Sequence, residues 1–177
     1  MVPRIHKKGK SFRGAAMYVL HDKDKAQTDE RVAWTQTRNI GVDDPHTAWK
    51  IMAATSMDQD RLKSEAGVPN TGRKSKDHVL HLTLSWHEQE AEGLTQDEMM
   101  RAVNQAIHQL DASDRQALIA AHNDTAEPHV HILINRVSPD DGRLLSSSNE
   151  KLKLSAWAEH YEKERGEVLC EARVINN

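Results

Sequence analysis

Two segments of this 177-residue chain alternate apolar and polar side chains with a period of two. That period specifies a β-strand rather than a helix, because successive strand side chains point to opposite faces. In "HVLHLTLSW", residues 78–86, Leu80, Leu82, Leu84 and Trp86 share one face, and His81, Thr83 and Ser85 share the other. In "PHVHILINRV", residues 128–137, Val130, Ile132 and Ile134 point one way, and His129, His131, Leu133 and Asn135 point the other. A chain carrying two such segments must build a sheet and bury it against something.

The intervening sequence supplies the cover. "VPRIHKKG" reads as a first strand, and Ser11 caps a short helix through "FRGAAMYVLHD" that carries Tyr18. "RVAWTQTRNI" has strand-like β-branched and aromatic content and ends at Gly41. From Asp44 to Ala66 the pattern predicts one helix, with Asp44 as cap, Pro45 at the first position and Gly67 just past the end. Thr95 with Glu98 three residues on forms a capping box for a helix through residue 110. "QALIAAHN" reads as a strand joined to residues 128–137 by "NDTAEP", and "LKLSAWAEHYEKERG" as a helix stopped by Gly166. "EVLCEARVINN" is expected to be a short strand or tail. The fold class is therefore α+β: a central, largely antiparallel sheet with flanking helices, one face covered. At this length residues 1–177 are expected to form a single domain.

Composition narrows the setting. With 37% hydrophobic and 29% charged residues the chain matches a folded globular protein. It has no apolar run long enough to cross a bilayer and no secretory leader at "MVPRIHKKGK". The single cysteine, Cys170, excludes an intrachain disulfide and suits a reducing interior. Net charge is −3, yet two segments are basic. Residues 1–25 hold seven Lys and Arg against two Asp, including Arg4, Lys7, Lys8, Lys10 and Arg13. Residues 61–76 hold five against one Glu, with Arg73, Lys74 and Lys76 in a turn-rich segment read as a basic loop. Such patches on an acidic body suggest a local footprint for a polyanion, although charge alone favours two solvated flexible segments. Four tryptophans, Trp34, Trp49, Trp86 and Trp157, are expected mostly in the core.

The polar face of residues 128–137 is the chemical feature. If "NDTAEP" is a hairpin connection, His122 lies opposite His129, and directly opposed Cβ atoms are about 5 Å apart. His122, His129 and His131 then converge on one point, within reach of an ion bound at about 2.0–2.3 Å from nitrogen. A slip of one residue would turn His122 away. All-nitrogen ligation suits Zn, Mn, Ni or Cu. Asp124 has two readings: accepting the outer ring proton of a ligand histidine, or a turn residue bonding its own backbone.

"HNDTAEPHVHILINR", residues 122–136, resembles the third motif of the plasmid DNA relaxases, the mobilization nucleases of the His-hydrophobe-His endonuclease superfamily. His122, Asp124, Thr125, His129, His131 and Asn135 all fit the pattern H-x-D-T…H-x-H-x-x-x-N of the conjugative class. "AAMYVLHD" is similar to the first motif, with Tyr18 as the matching nucleophile and His21 and Asp22 where such enzymes carry a basic residue or aspartate. "GRKSKDHVLHLTLSW" is similar to the second, with Ser75 as its serine. The resemblance implies a palm-like relaxase fold and a nuclease domain standing at the N-terminal part of a longer protein. It implies a tyrosine that attacks one phosphodiester at a plasmid origin of transfer, becoming joined to the 5′ phosphate and freeing a 3′ hydroxyl. It further implies a histidine-bound divalent ion, Mg²⁺ or Mn²⁺ first, with Zn²⁺ or Ni²⁺ as alternatives. The implied partners are single-stranded origin DNA held by Lys7, Lys8, Lys10, Arg13, Arg73, Lys74, Ser75 and Lys76, together with accessory DNA-binding proteins and a type IV secretion coupling protein. The implied location is the bacterial cytoplasm, with passage into the recipient cell and no membrane insertion.

Three other readings stay open on sequence alone. A rolling-circle replication initiator shares the histidine strand but carries its tyrosine later, as Y-x-x-K; Tyr161 stands there with Glu164 in place of the lysine. A three-histidine hydrolase would use ion-bound water, leaving Tyr18 structural. A DNA-binding accessory protein would leave the histidine face unused.

Overall fold

The two alternating segments become strands β3 (Val79–Ser85) and β5 (His129–Asn135), neighbours at the centre of a five-stranded sheet. The computed structural model describes residues 1–21, 30–71, 74–166 and 168–170. Beside those two strands it contains β1 (Val2–Ile5), β2 (Val32–Arg38) and β4 (Ala117–His122). The sheet order is β1-β3-β5-β4-β2, and every pairing is antiparallel. Its helices are α1 (Phe12–Leu20), α2 (Pro45–Met57), α3 (Gln59–Glu65), α4 (Gln96–Gln109) and α5 (Glu150–Glu164). A 3-10 turn at Glu88–Gly93 leads into α4. Among the described residues, no helix is long and apolar enough to cross a membrane.

Helices cover both faces rather than one. Leu80, Leu82, Leu84, Val130, Ile132 and Ile134 pack under α4 and α5, against Val103, Ile107, Leu154 and Trp157. On the other face Val79, Leu118, Ala120 and Leu133 pack against Phe12, Ala16, Val19 and Leu20 of α1 and Met52 of α2. The reason is visible in the strands: Leu118 and Leu133 lie on the histidine side, and apolar surface there must also leave water. Trp86 and Trp157 are buried, whereas Trp34 and Trp49 are only partly so and pack on the two cores.

Local signals set the helix ends. Ser11 accepts from the Gly14 amide at 3.0 Å, Asp44 from Thr47 at 2.7 Å, and Thr95 from Glu98 at 3.2 Å. The Glu98 carboxylate does not close the predicted box; it takes bonds from Arg165 and Tyr161 instead. The single helix expected over 44–66 is divided at Asp58, whose amide is shared between the Ala54 and Thr55 carbonyls. Just beyond it, Gln59 donates to the Gly142 carbonyl at 2.9 Å, a tertiary contact that favours the bend. Residues 168–170 have no regular structure, and the rest of the expected C-terminal strand lies outside the described residues.

Candidate metal and nucleophile site

Strand register brings the three histidines together. His122 at the end of β4 pairs directly with His129 at the start of β5, and His131 follows on the same face. Ring centroids are 4.4 Å apart for His122 and His131, 5.2 Å for His122 and His129, and 5.3 Å for His129 and His131. One ligand nitrogen from each lies within 4.8 Å of the others.

Hydrogen bonds assign the free nitrogen of each ring. His122 Nε2 is 2.7 Å from the Val19 carbonyl and must donate to it, so its lone pair is on Nδ1. That Nδ1 is buried with no hydrogen-bond partner, an orphan that an ion would satisfy. His129 Nδ1 is 3.0 Å from the Glu127 carbonyl and donates there, freeing Nε2. His131 Nδ1 faces Thr83 Oγ1 at 3.2 Å and His81 Nε2 at 2.9 Å, which leaves its Nε2 for the cleft. The donor set therefore fits a divalent ion. Outer ring protons held by backbone carbonyls are the usual way of fixing a ligand tautomer. The Glu127 carbonyl takes the place the sequence offered to Asp124, whose Oδ1 lies 3.6 Å from the other nitrogen of His129.

Burial keeps these rings neutral. The His131 pKa is pushed down to about 2 and that of His81 to about 3, first by burial and then by neighbouring histidines. His122 is lowered by burial, partly offset by its bond to the Val19 carbonyl. The unfolded chain takes up protons below the ordinary histidine value of 6.5, whereas the folded chain does not until far lower pH. The unfolded state thus binds more protons in that window, and stability falls as pH drops below 6.5. Each histidine contributes at most about 1.4 kcal/mol per pH unit. In chelator, the melting temperature is expected to fall between pH 7 and pH 5, less steeply in His81→Asn. A flat profile would contradict the assignment.

Tyr18 sits on the last turns of α1 and is 49% exposed. Its ring is edge-on to His81 and His131, with centroids 6.0 and 6.1 Å away. Docking of α1 thus delivers the phenol to the histidines, while the next residue, Val19, orients His122. Arg31, just before β2, completes the cluster. Its guanidinium donates to the Tyr18 carbonyl, lies 5.7 Å from the Tyr18 ring centroid and is 3.7 Å from Asp124. It is 7% exposed, with Nε unpartnered. Tyr18, Arg31, His122, Asp124, His129 and His131 all line one cleft of about 510 Å³.

The other residues singled out by sequence are spread more widely. Lys7, Lys10, Arg13 and Lys76 are exposed. Lys8 pairs with Glu150 at 2.5 Å and Lys74 with Asp60 at 2.7 Å, so two of the basic residues are committed to carboxylates. Ser75 accepts from the Asp77 amide at 3.2 Å, and its carbonyl accepts from His78. Arg73 and Asp22 lie outside the described residues. Asn135 is fully buried, donating to Gln116 and to the Met52 carbonyl, a structural post rather than a cleft residue. Tyr161 belongs to the α4–α5 core on the opposite face, accepting from Trp86 and donating to Glu98 at 2.9 Å. That burial removes the structural basis for a replication-initiator arrangement.

Three neighbours were missed by motif reasoning: His6, His81 and Arg31. His81 had a signal, since alternation already put it on the polar face of β3. His6 and Arg31 had none, being lone residues whose place depends on chain packing.

The same architecture recurs elsewhere. The MobM relaxase domain, solved with a 26-nucleotide pMV158 oriT DNA, superposes with a TM-score of 0.50 over 93% of this chain and 86% of that one, at 19% identity. Protein MobA of Acidithiobacillus ferrooxidans is 37% identical over 76 residues. That match spans 43% of this chain and only 18% of MobA. Residues 18–166, from the exposed tyrosine to the end of α5, match the model of the relaxase nuclease domain, MobA/VirD2-like. That stretch covers most of the chain and carries four of the five strands, the three histidines and the tyrosine, so this chain belongs to the MobA/VirD2-like relaxase nuclease family.

Proposed function

We propose that the chain nicks and rejoins one strand of DNA at a plasmid origin of transfer through a covalent bond to Tyr18. The observation that carries the reading is the placement of an exposed phenol edge-on to His131, one of three imidazoles whose free nitrogens face a common point. Tyr18 Oη bonds to phosphorus as the P–O3′ bond breaks, giving a 5′-phosphotyrosyl ester and a 3′ hydroxyl. The reverse step rejoins the strand, because the ester retains the phosphodiester's reactivity. When bound by His122, His129 and His131, a divalent ion polarises the scissile phosphate and offsets charge growing on its oxygens.

The protein's own groups do the rest. Arg31 ties the nucleophile helix to the loop that carries Asp124, and its charge favours an anion in the cleft. Asp124, beside the His129 ring, is assigned the role of helping a histidine accept the phenolic proton. Mg²⁺ or Mn²⁺ is the ion the relaxase family implies, and Zn²⁺ or Ni²⁺ are the alternatives that nitrogen donors suit better.

Lys7, Lys10, Arg13 and Lys76 are the exposed basic residues assigned to the DNA backbone, with Arg73 beside them in sequence. Lys8 and Lys74 must first leave their carboxylates, so they are expected to contribute less. Each lost phosphate contact on a single strand flattens the log K against log salt slope by about 0.7. Lys10→Ala and Arg13→Ala are each expected to show that change in a binding titration, and Lys8→Ala a smaller one. Equal slopes for all the variants would remove the assignment. That MobM was solved with origin DNA supports the substrate class. Accessory proteins and a secretion coupling protein are the proposed partners in the cell.

The test is to incubate the chain with labelled origin oligonucleotides and Mn²⁺, then separate products under denaturing conditions. A heat-stable protein–DNA adduct, absent with chelator, is expected. Ion-dependent cleavage with no adduct would replace this reading with hydrolysis by water.

A further inference from the structure

His131 also belongs to a second group of imidazoles. His6, just after β1, and His81 on β3 each bring a ligand nitrogen within 4.8 Å of one another and of His131. The sheet makes this group: the His6 amide bonds the His81 carbonyl at 2.9 Å, and Thr83 on β3 pairs with His131 on β5. The rings of His6 and His81 stack, 4.1 Å apart and 16° from parallel.

We propose that His6, His81 and His131 form a second site for a borderline transition ion such as Zn²⁺. His81 Nε2 and His131 Nδ1 are 2.9 Å apart, bridged in the ion-free protein by the His131 Nδ1 proton. An ion about 2.0–2.1 Å from each nitrogen needs a tetrahedral nitrogen separation of about 3.4 Å, a small opening of the present geometry. His6 supplies the third nitrogen by giving up its 2.7 Å bond to Thr83 Oγ1. An ion bound at this site alone would shift that proton to His131 Nε2; with both sites filled it would leave to solvent and His131 would bridge the ions as an imidazolate. An all-imidazole set favours Zn²⁺, Ni²⁺ or Cu²⁺ over Mg²⁺.

The two sites use opposite sides of one ring. His131 turns Nδ1 to His81 and Nε2 to the cleft, so occupancy of one site is felt at the other. The Tyr18 ring is about as close to His81 as to His131, which puts an ion at the second site beside the phenol.

Side-chain nitrogen NMR of the wild-type protein during a Zn²⁺ titration tests the proposal. The His6 and His81 imidazole nitrogens are expected to move to metal-bound positions; unchanged signals for both would overturn the site. Calorimetric Zn²⁺ titration gives a second measurement in a His122→Asn/His129→Asn chain, checked for folding by circular dichroism. About one ion per chain is expected to bind there, and adding His6→Ala to weaken binding at least tenfold. Binding indifferent to His6 overturns the proposal. In His6→Ala alone the first site remains, so loss of all ions from that variant would count against the His122–His129–His131 site instead.

Discussion

Tyr18→Phe is expected to abolish the covalent protein–DNA adduct and to slow nicking by about 10⁴-fold or more, the scale on which an enzyme loses activity with its nucleophile. The substitution isolates one atom. Phenylalanine keeps the edge-on contacts with His81 and His131 and the neighbouring Arg31 guanidinium, and the ring is half exposed. Melting temperature and single-strand affinity should therefore stay close to wild type. Tyr161→Phe gives the opposite pattern. Its hydroxyl accepts from Trp86 Nε1 at 3.1 Å and donates to Glu98 at 2.9 Å inside the α4–α5 core. Removing it leaves a buried donor unpaired, at about 1–3 kcal/mol, yet the adduct should still form. Denaturing gels and thermal melts on both variants separate the two roles. An adduct surviving in Tyr18→Phe would end the tyrosine mechanism for that residue.

His131→Ala is expected to be the most damaging change in the proposed metal site. Altering residues that merely support metal ligands costs about 10–100-fold in affinity. Loss of a ligand whose other nitrogen is bonded to His81 should exceed that, so ion affinity and nicking are both expected to fall by about 100-fold or more. DNA binding through the exposed lysines and arginines should persist, since none of them touches the ring. His160, 72% exposed on α5 and paired with Glu164, serves as the control: His160→Ala should leave ion affinity and nicking unchanged. Calorimetry with Mn²⁺ and a nicking assay on both variants are the measurements. Full ion affinity in His131→Ala would remove the triad as the metal site.

Much of the site was legible because its parts are close in sequence. His122, Asp124, His129 and His131 lie within ten residues, and a strand's period of two puts the latter two histidines on one face without any tertiary knowledge. Ser11 and Asp44 marked their helix starts through bonds to amides three residues on. Where the reading departed from the structure, the deciding contact came from elsewhere in the chain. The bend at Asp58 faces the turn containing Gly142. One oxygen of the Glu98 carboxylate is taken by Tyr161 of α5 and Arg165 at its end, and the other by Arg101, so neither turns back to the helix start.

What the sequence determined, then, is the local chemistry: which segments are strands, which side chains share a face, and which residues fit the pattern that resembles a relaxase. Backbone geometry is repetitive, so a period of two or a cap three residues from its amide needs only neighbours to be read. Tertiary structure alone decided that His122 stands opposite His129, and that α1 brings Tyr18 to them. It also decided that Arg31 joins the Tyr18 backbone to Asp124, and that His6 and His81 extend the cluster. Those placements follow from strand register and helix docking, which are selected by the packing of both apolar cores at once, and no short stretch of sequence contains that sum.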